Sequence, residues 1–223
     1  MSKGKIIVLE GLDGCGKSTQ LQLLADRLAA EGTTSRLISF PNYDSPSGKI
    51  VSGYLAGDIP CEGEVGAYAA SSFYAIDRYI SYSTDWKRDH DNGSVIVSGR
   101  YTTSNAIYQM TKLKAEEREA YLSWLWDYEY NKLGLPRPDA VLFLDMPIEV
   151  SQRLLSSRYN GDEDKKDIHE RNIAFMRSCR DSAMFTAERC GWSMISCSDG
   201  EAPLSIEAIH NEIMSRVKAI LDI

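Results

Sequence analysis

Gly11-Leu12-Asp13-Gly14-Cys15-Gly16-Lys17-Ser18 fits the pattern G-x-x-x-x-G-K-[ST]. It lies between a β-branched run, Lys5 to Glu10, and a segment whose Leu21, Leu24, Ala25 and Leu28 recur at helical spacing. Strand, glycine-rich loop and helix form the context in which this pattern cradles phosphate, because backbone N–H groups turn inward and the helix N-terminus adds partial positive charge. Lys17 is then expected at the β- and γ-phosphates of an ATP donor and the Ser18 hydroxyl on Mg²⁺, with Thr19 completing the donor site. Tyr74 and Arg78 stand four apart on a helical segment and share one face, which suits a base stack beside a cation. Such chemistry needs cations more than bases. His90, His169 and His210 show no nucleophile partner and are expected at the surface.

A phosphate loop by itself names only a nucleotide binder. A GTPase would be expected to carry Asn-Lys-x-Asp, whereas Asn131-Lys132 continues as Leu133-Gly134. A multimeric ATPase would be longer than 223 residues, so a small-molecule kinase is the leading expectation. The formal charge of −7 argues against a basic nucleic-acid surface. Five cysteines without zinc-finger spacing fit free thiols in a reducing compartment, and the short apolar run before Glu10 is too brief for a signal or a membrane span. A cytoplasmic protein is expected, and Asn92-Gly93-Ser94 reads as a turn rather than a glycosylation site.

The elements that must position these residues alternate. Strands are expected at Lys5–Glu10, Arg36–Phe40, Val95–Val97, Ala140–Leu144 and Trp192–Ser196. Helices are expected at Lys17–Ala30, Lys49–Ala56, Glu64–Trp86, Ser104–Met110, Ala115–Leu133, from Pro147 to Ser157, and at Ile168–Arg189 and Ser205–Leu221. That order predicts one α/β domain over residues 1–223, with a parallel sheet of about five strands covered on both faces.

Five segments between residue 6 and about residue 170 resemble thymidylate kinases in order and spacing: Val8 to Gly14, Phe40-Pro41-Asn42-Tyr43, Tyr74 to Arg78, Val95 to Gln109, and Pro138-Asp139 with Leu142 to Pro147. The resemblance implies a three-layer P-loop kinase fold with a mobile lid at approximately 158–167, a homodimer, and Mg²⁺-dependent phosphoryl transfer from ATP to dTMP. It places Asp13, Phe40, Pro41, Tyr43, Tyr74, Arg78, Arg100, Ser104, Asn105 and Tyr108 around dTMP: Asp13 at the deoxyribose, Tyr74 stacked on thymine, Arg78 on the acceptor phosphate, Asn105 at the thymine edge and Tyr108 beside the 2′ position. Arg100 would bridge the acceptor phosphate and the transferring group. Lys17, Arg100, Asp13 and Arg158 form the expected catalytic set, with Arg153, Lys165 and Lys166 as further cations around the lid.

The chain departs from the family pattern at Gly99, where an Asp ordinarily precedes the arginine and would help to organise Mg²⁺ and water. It also lacks the arginine that some members carry at the Gly14 or Cys15 position. Two other readings follow: a deoxynucleoside kinase, which needs a carboxylate base such as Glu10 or Asp13, or a catalytically impaired nucleotide-binding module.

Overall fold

Ile6, Ile7, Val8 and Leu9 are all fully buried, because their strand is central in the sheet and has helices on both faces. The computed structural model describes residues 2–59, 63–158 and 172–223. Within them the strands β1 (Ile6–Gly11), β2 (Ser35–Ser39), β3 (Val95–Gly99), β4 (Ala140–Asp145) and β5 (Ser193–Ser196) form one sheet in the order β2-β3-β1-β4-β5. Every pairing is parallel, with Leu9 opposite Gly99 on one side and Leu142 on the other.

The helices are α1 (Lys17–Ala30), α2 (Pro46–Ala56), α3 (Ala67–Ser81), α4 (Lys87–Asp91), α5 (Thr102–Tyr108), α6 (Arg118–Trp126), α7 (Ile148–Arg158), α8 (Ile173–Cys190) and α9 (Ile206–Leu221). Alternation along β1 sends its side chains into two cores. Ile6 and Val8 join Ile96, Phe143 and the α8 residues Met176, Cys179 and Ala183. Ile7 and Leu9 join Leu21, Leu24 and Leu28 of α1 and Ile209, Ile213 and Val217 of α9. Each fully buried Leu or Ile contributes about 1.5–3 kcal/mol, so the two layers hold the sheet's C-terminal ends, where the chemistry sits, in fixed register.

The two long helices read from the sequence are interrupted. The expected helix from Glu64 to Trp86 starts at Ala67, passes into a π-helical turn at Tyr82–Trp86 and continues as α4 to Asp91. The one expected from Ala115 to Leu133 is a 3₁₀ turn, then α6, then a π-helical turn at Asp127–Lys132. Apolar spacing cannot register a one-residue insertion of this kind; Glu129, within the second π-helical turn, is fully buried. Residues 159–167 of the expected lid, with Lys165 and Lys166, and residues 168–171 of the expected helix from Ile168 lie outside the described residues, as does His169.

His90 is not at the surface. It is buried at the end of α4, 6.2 Å from the Trp86 ring, because the helix runs past Trp86 and turns it under the start of the chain, where its carbonyl accepts from Gly4 N–H. Burial first, then the charge of Lys3, lowers its pKa from 6.5. The unfolded chain therefore binds the extra proton, and the associated stability is present above pH 6.5 and lost as pH falls through that value toward the folded pKa. Urea midpoints measured between pH 8 and 5 should fall less in His90→Gln than in the parent.

Candidate active site

The phosphate loop takes its shape from Gly14 and Gly16, whose φ angles of 80° and 85° disfavour side chains. Gly16 caps α1 without a side-chain hydrogen bond, and the first turn has no acidic residue, so its N–H groups remain for an anion. Lys17 Nζ folds back to donate to Gly11 O at 2.9 Å. Burial and then the charge of Arg100 lower its pKa, so the ammonium gains from an arriving phosphate. Ser18 and Thr19 are exposed at the loop mouth, whereas Leu12 and Cys15 turn their side chains into the core and offer only backbone. Gly14 leaves no space for an arginine: a Cβ there would stand 2.9 Å from Leu155 Cγ and 3.0 Å from Ser151 O on α7.

Arg100 follows β3 with φ 67°, a left-handed conformation costly for a side-chain-bearing residue. Its N–H bonds Leu9 O and its carbonyl accepts from Ser98 Oγ at 2.7 Å, which holds the turn. The guanidinium reaches Asp13 Oδ1 at 2.7 Å and lies 4.7 Å from the Tyr108 ring centre. Burial disfavours its charge, but Tyr108, Asp13 and Glu10 more than offset this, so it stays a cation. Burial also raises the Tyr108 phenol well above its ordinary range, keeping it a neutral group.

These residues open onto a cleft of about 420 Å³. Asp13, Arg100 and Tyr108 line one end, Phe40, Pro41, Tyr43 and Tyr74 form a wall, and Arg78, Ser104 and Asn105 also contribute. Every residue that the sequence suggested for the acceptor thus faces one cavity. Tyr54 stands edge-on to Tyr74 at 6.4 Å and fixes its ring. Asp77, buried on α3, accepts from Asn42 N–H at 2.9 Å and Ser47 Oγ at 2.8 Å, tying the Phe40–Tyr43 segment to the helix that carries Tyr74 and Arg78.

Arg78 differs from its expected state. Its side chain is 2% exposed, and Nε and Nη2 donate to Glu129 Oε2 and Oε1 at 2.7 and 2.6 Å. Glu129 Oε1 also accepts from Asn105 Nδ2 at 3.0 Å. A guanidinium whose charge is balanced in this way is a poor phosphate clamp and a good hydrogen-bond donor. Sequence reasoning missed Glu129 and Asp77, because nothing local to either reveals a partner on a distant element.

The family model for thymidylate kinase matches residues 9–213. The chain belongs to the thymidylate kinase family. A probable thymidylate kinase of Thermococcus kodakarensis is 30% identical over 96% of this chain and 98% of its own length. The thymidylate kinases of Schizosaccharomyces pombe and Homo sapiens are 27% and 26% identical, covering 98% and 95% of this chain and 94% and 88% of theirs. A Candida albicans thymidylate kinase structure shares the fold with TM-score 0.71, at 20% identity over 98% of this chain and 93% of that one.

Thymidylate kinases are nucleoside-monophosphate kinases that take the phosphoryl group from ATP, and the two carboxylates on which the deoxynucleoside-kinase alternative rested are not free. Glu10 is fully buried, and its Oε1 accepts from Tyr101 N–H, Thr103 Oγ1 and Ser104 Oγ, while Asp13 is paired with Arg100. The Ser104 hydroxyl accordingly turns to Glu10 although the residue lines the cleft. At Gly99 the space is filled: a Cβ would stand 2.4 Å from Leu21 Cδ1. Of the two arginines expected near the donor, Arg153 bonds the Glu201 carbonyl and Arg158 ends α7.

Proposed function

We propose that this chain transfers the γ-phosphoryl group of ATP to dTMP, giving dTDP and ADP, with Mg²⁺. The observation that carries the reading is the single cleft joining the Asp13–Arg100 pair to the Tyr74 wall and the Arg78–Asn105 edge. A nucleoside monophosphate has a second phosphate pKa of about 6, so its attacking oxygen is already ionised at neutral pH and no general base is needed. The work lies in positioning two polyanions and balancing charge on the transferring group.

In this reading Lys17 and the α1 N-terminus hold the donor phosphates. Arg100 contacts the acceptor phosphate and the transferring oxygens, and Asp13 orients that guanidinium beside the sugar. Tyr74 stacks on the base, Asn105 and Arg78 meet its edge, and Tyr108 crowds the 2′ position. Arg78 is assigned to the base rather than the phosphate because Glu129 already balances its charge. Ser18 fits a metal held chiefly by phosphate oxygens and water, the usual mode for Mg²⁺: its hydroxyl is exposed at the loop mouth, and among the described residues no group of three acidic, His or Cys side chains forms a cage. The metal would neutralise charge shared between the donor phosphates. Arg158 remains a proposed catalytic cation and Arg153 a proposed donor contact.

A cytoplasmic homodimer completes the proposal, with exposed Tyr68 and Tyr79 of α3 supplying apolar surface for pairing. Among the described residues no helix is long and apolar enough to cross a membrane, and the acidic charge disfavours nucleic acid as a partner. A coupled ADP-release assay across dTMP, dUMP, UMP, CMP, AMP and GMP should give the highest kcat/KM with dTMP. No turnover with dTMP, or a clear preference for another monophosphate, would overturn the assignment.

A further inference from the structure

Glu129 lies on the π-helical turn after α6, touches no open part of the cleft, and spends both carboxylate oxygens on two residues that do line it. Oε2 accepts from Arg78 Nε, and Oε1 accepts from both Arg78 Nη2 and Asn105 Nδ2. The same Asn105 nitrogen donates to the Ser71 carbonyl at 3.1 Å. A carboxylate and a carbonyl can only accept, so the amide nitrogen must face them and Oδ1 must face away. Arg78, with Nε and Nη2 committed, keeps Nη1 as the nitrogen not bound to Glu129. The edge offered to a ligand is therefore one donor, from Arg78, beside one acceptor, from Asn105.

We propose that Glu129 is a positioning residue that fixes this donor–acceptor pair and thereby selects a pyrimidine with a lactam edge, carbonyl at position 4 and N–H at position 3, against one with an amino group at position 4. The inference rests on the reading of the cleft as the acceptor site. A 4-amino pyrimidine would set its amino donor against Arg78 and its ring acceptor against Asn105 Oδ1. Either mismatch leaves buried polar groups unpaired, the circumstance in which hydrogen-bonding sites discriminate most strongly. Position 129 lies four residues after Leu125 and seven after Leu122, both buried, so it continues the inward stripe of α6 and brings the carboxylate to Arg78 of α3 and Asn105 of α5.

Glu129→Gln replaces one acceptor by a donor, which opposes Arg78 Nε in one amide orientation and Arg78 Nη2 with Asn105 Nδ2 in the other, so in either orientation the fixed donor–acceptor pair loses part of its anchoring. Steady-state kinetics with dTMP and dCMP should show the dTMP:dCMP ratio of kcat/KM falling by about tenfold or more, through KM for dTMP, with KM for ATP unchanged. Glu129→Asp keeps the charge and acceptors on a shorter arm and should fall between parent and Gln variant. A role in folding alone would lower the melting temperature and leave the ratio untouched. If Glu129→Gln does not fold, the Asp variant carries the same comparison. A parental ratio retained in the folded variant overturns the role of Glu129 alone, whereas a parent enzyme that does not prefer dTMP overturns the acceptor reading itself.

Discussion

Arg100→Ala should lower kcat by about a thousandfold, equivalent to about 4 kcal/mol of transition-state stabilisation, with KM for dTMP changing far less. The guanidinium is held between Asp13 and the Tyr108 ring in a backbone conformation that costs energy, which is sensible only if its placement matters more than the strain. Charge on the transferring oxygens grows toward the transition state, so an arginine aimed there acts on kcat. Arg100→Lys keeps the charge and loses the planar fork, and should recover part of the rate. Single-turnover measurements would separate the chemical step from product release. A defect confined to KM would remove Arg100 from the transition state and leave it as a binding residue.

Gly99→Asp should destabilise the fold by about 3 kcal/mol rather than improve catalysis. Position 99 ends β3 against α1, and a Cβ would overlap Leu21 Cδ1 at 2.4 Å. The clashing atom is the end of the Leu21 side chain, but Leu21 is 7% exposed and belongs to the same core cluster as Leu24 and Leu9, so its shift disturbs packed neighbours. A carboxylate there would also lose water on burial. Urea unfolding should show the loss, and Leu21→Ala combined with Gly99→Asp should restore part of it, because removal of the leucine opens the space. Undiminished stability with a higher kcat in the single variant would mean that the missing carboxylate limits the enzyme and that the space is available after all.

The sequence by itself determined the succession of strands and helices along the chain and the phosphate loop, and suggested part of the lining of the cleft. Phosphate binding is encoded within one short loop. The buried strands announce themselves through continuous apolar runs, and Tyr74 with Arg78 through a four-residue spacing. The family resemblance extended this to Asp13, Phe40, Pro41, Tyr43, Arg100, Ser104, Asn105 and Tyr108, which with Tyr74 and Arg78 line one cavity. Only the tertiary structure decided what state each side chain is in. Arg78 looks like a free cation until α6 and its π-helical turn bring Glu129 against it. Glu10 and Asp13 look like available bases until α5 and Arg100 close on them. Gly99 looks like an open position until Leu21 is found in its space. In each case the deciding partner lies on another element. Local spacing fixes which way a residue points, but the charge it meets and the volume left to it are set by packing between elements distant in the chain.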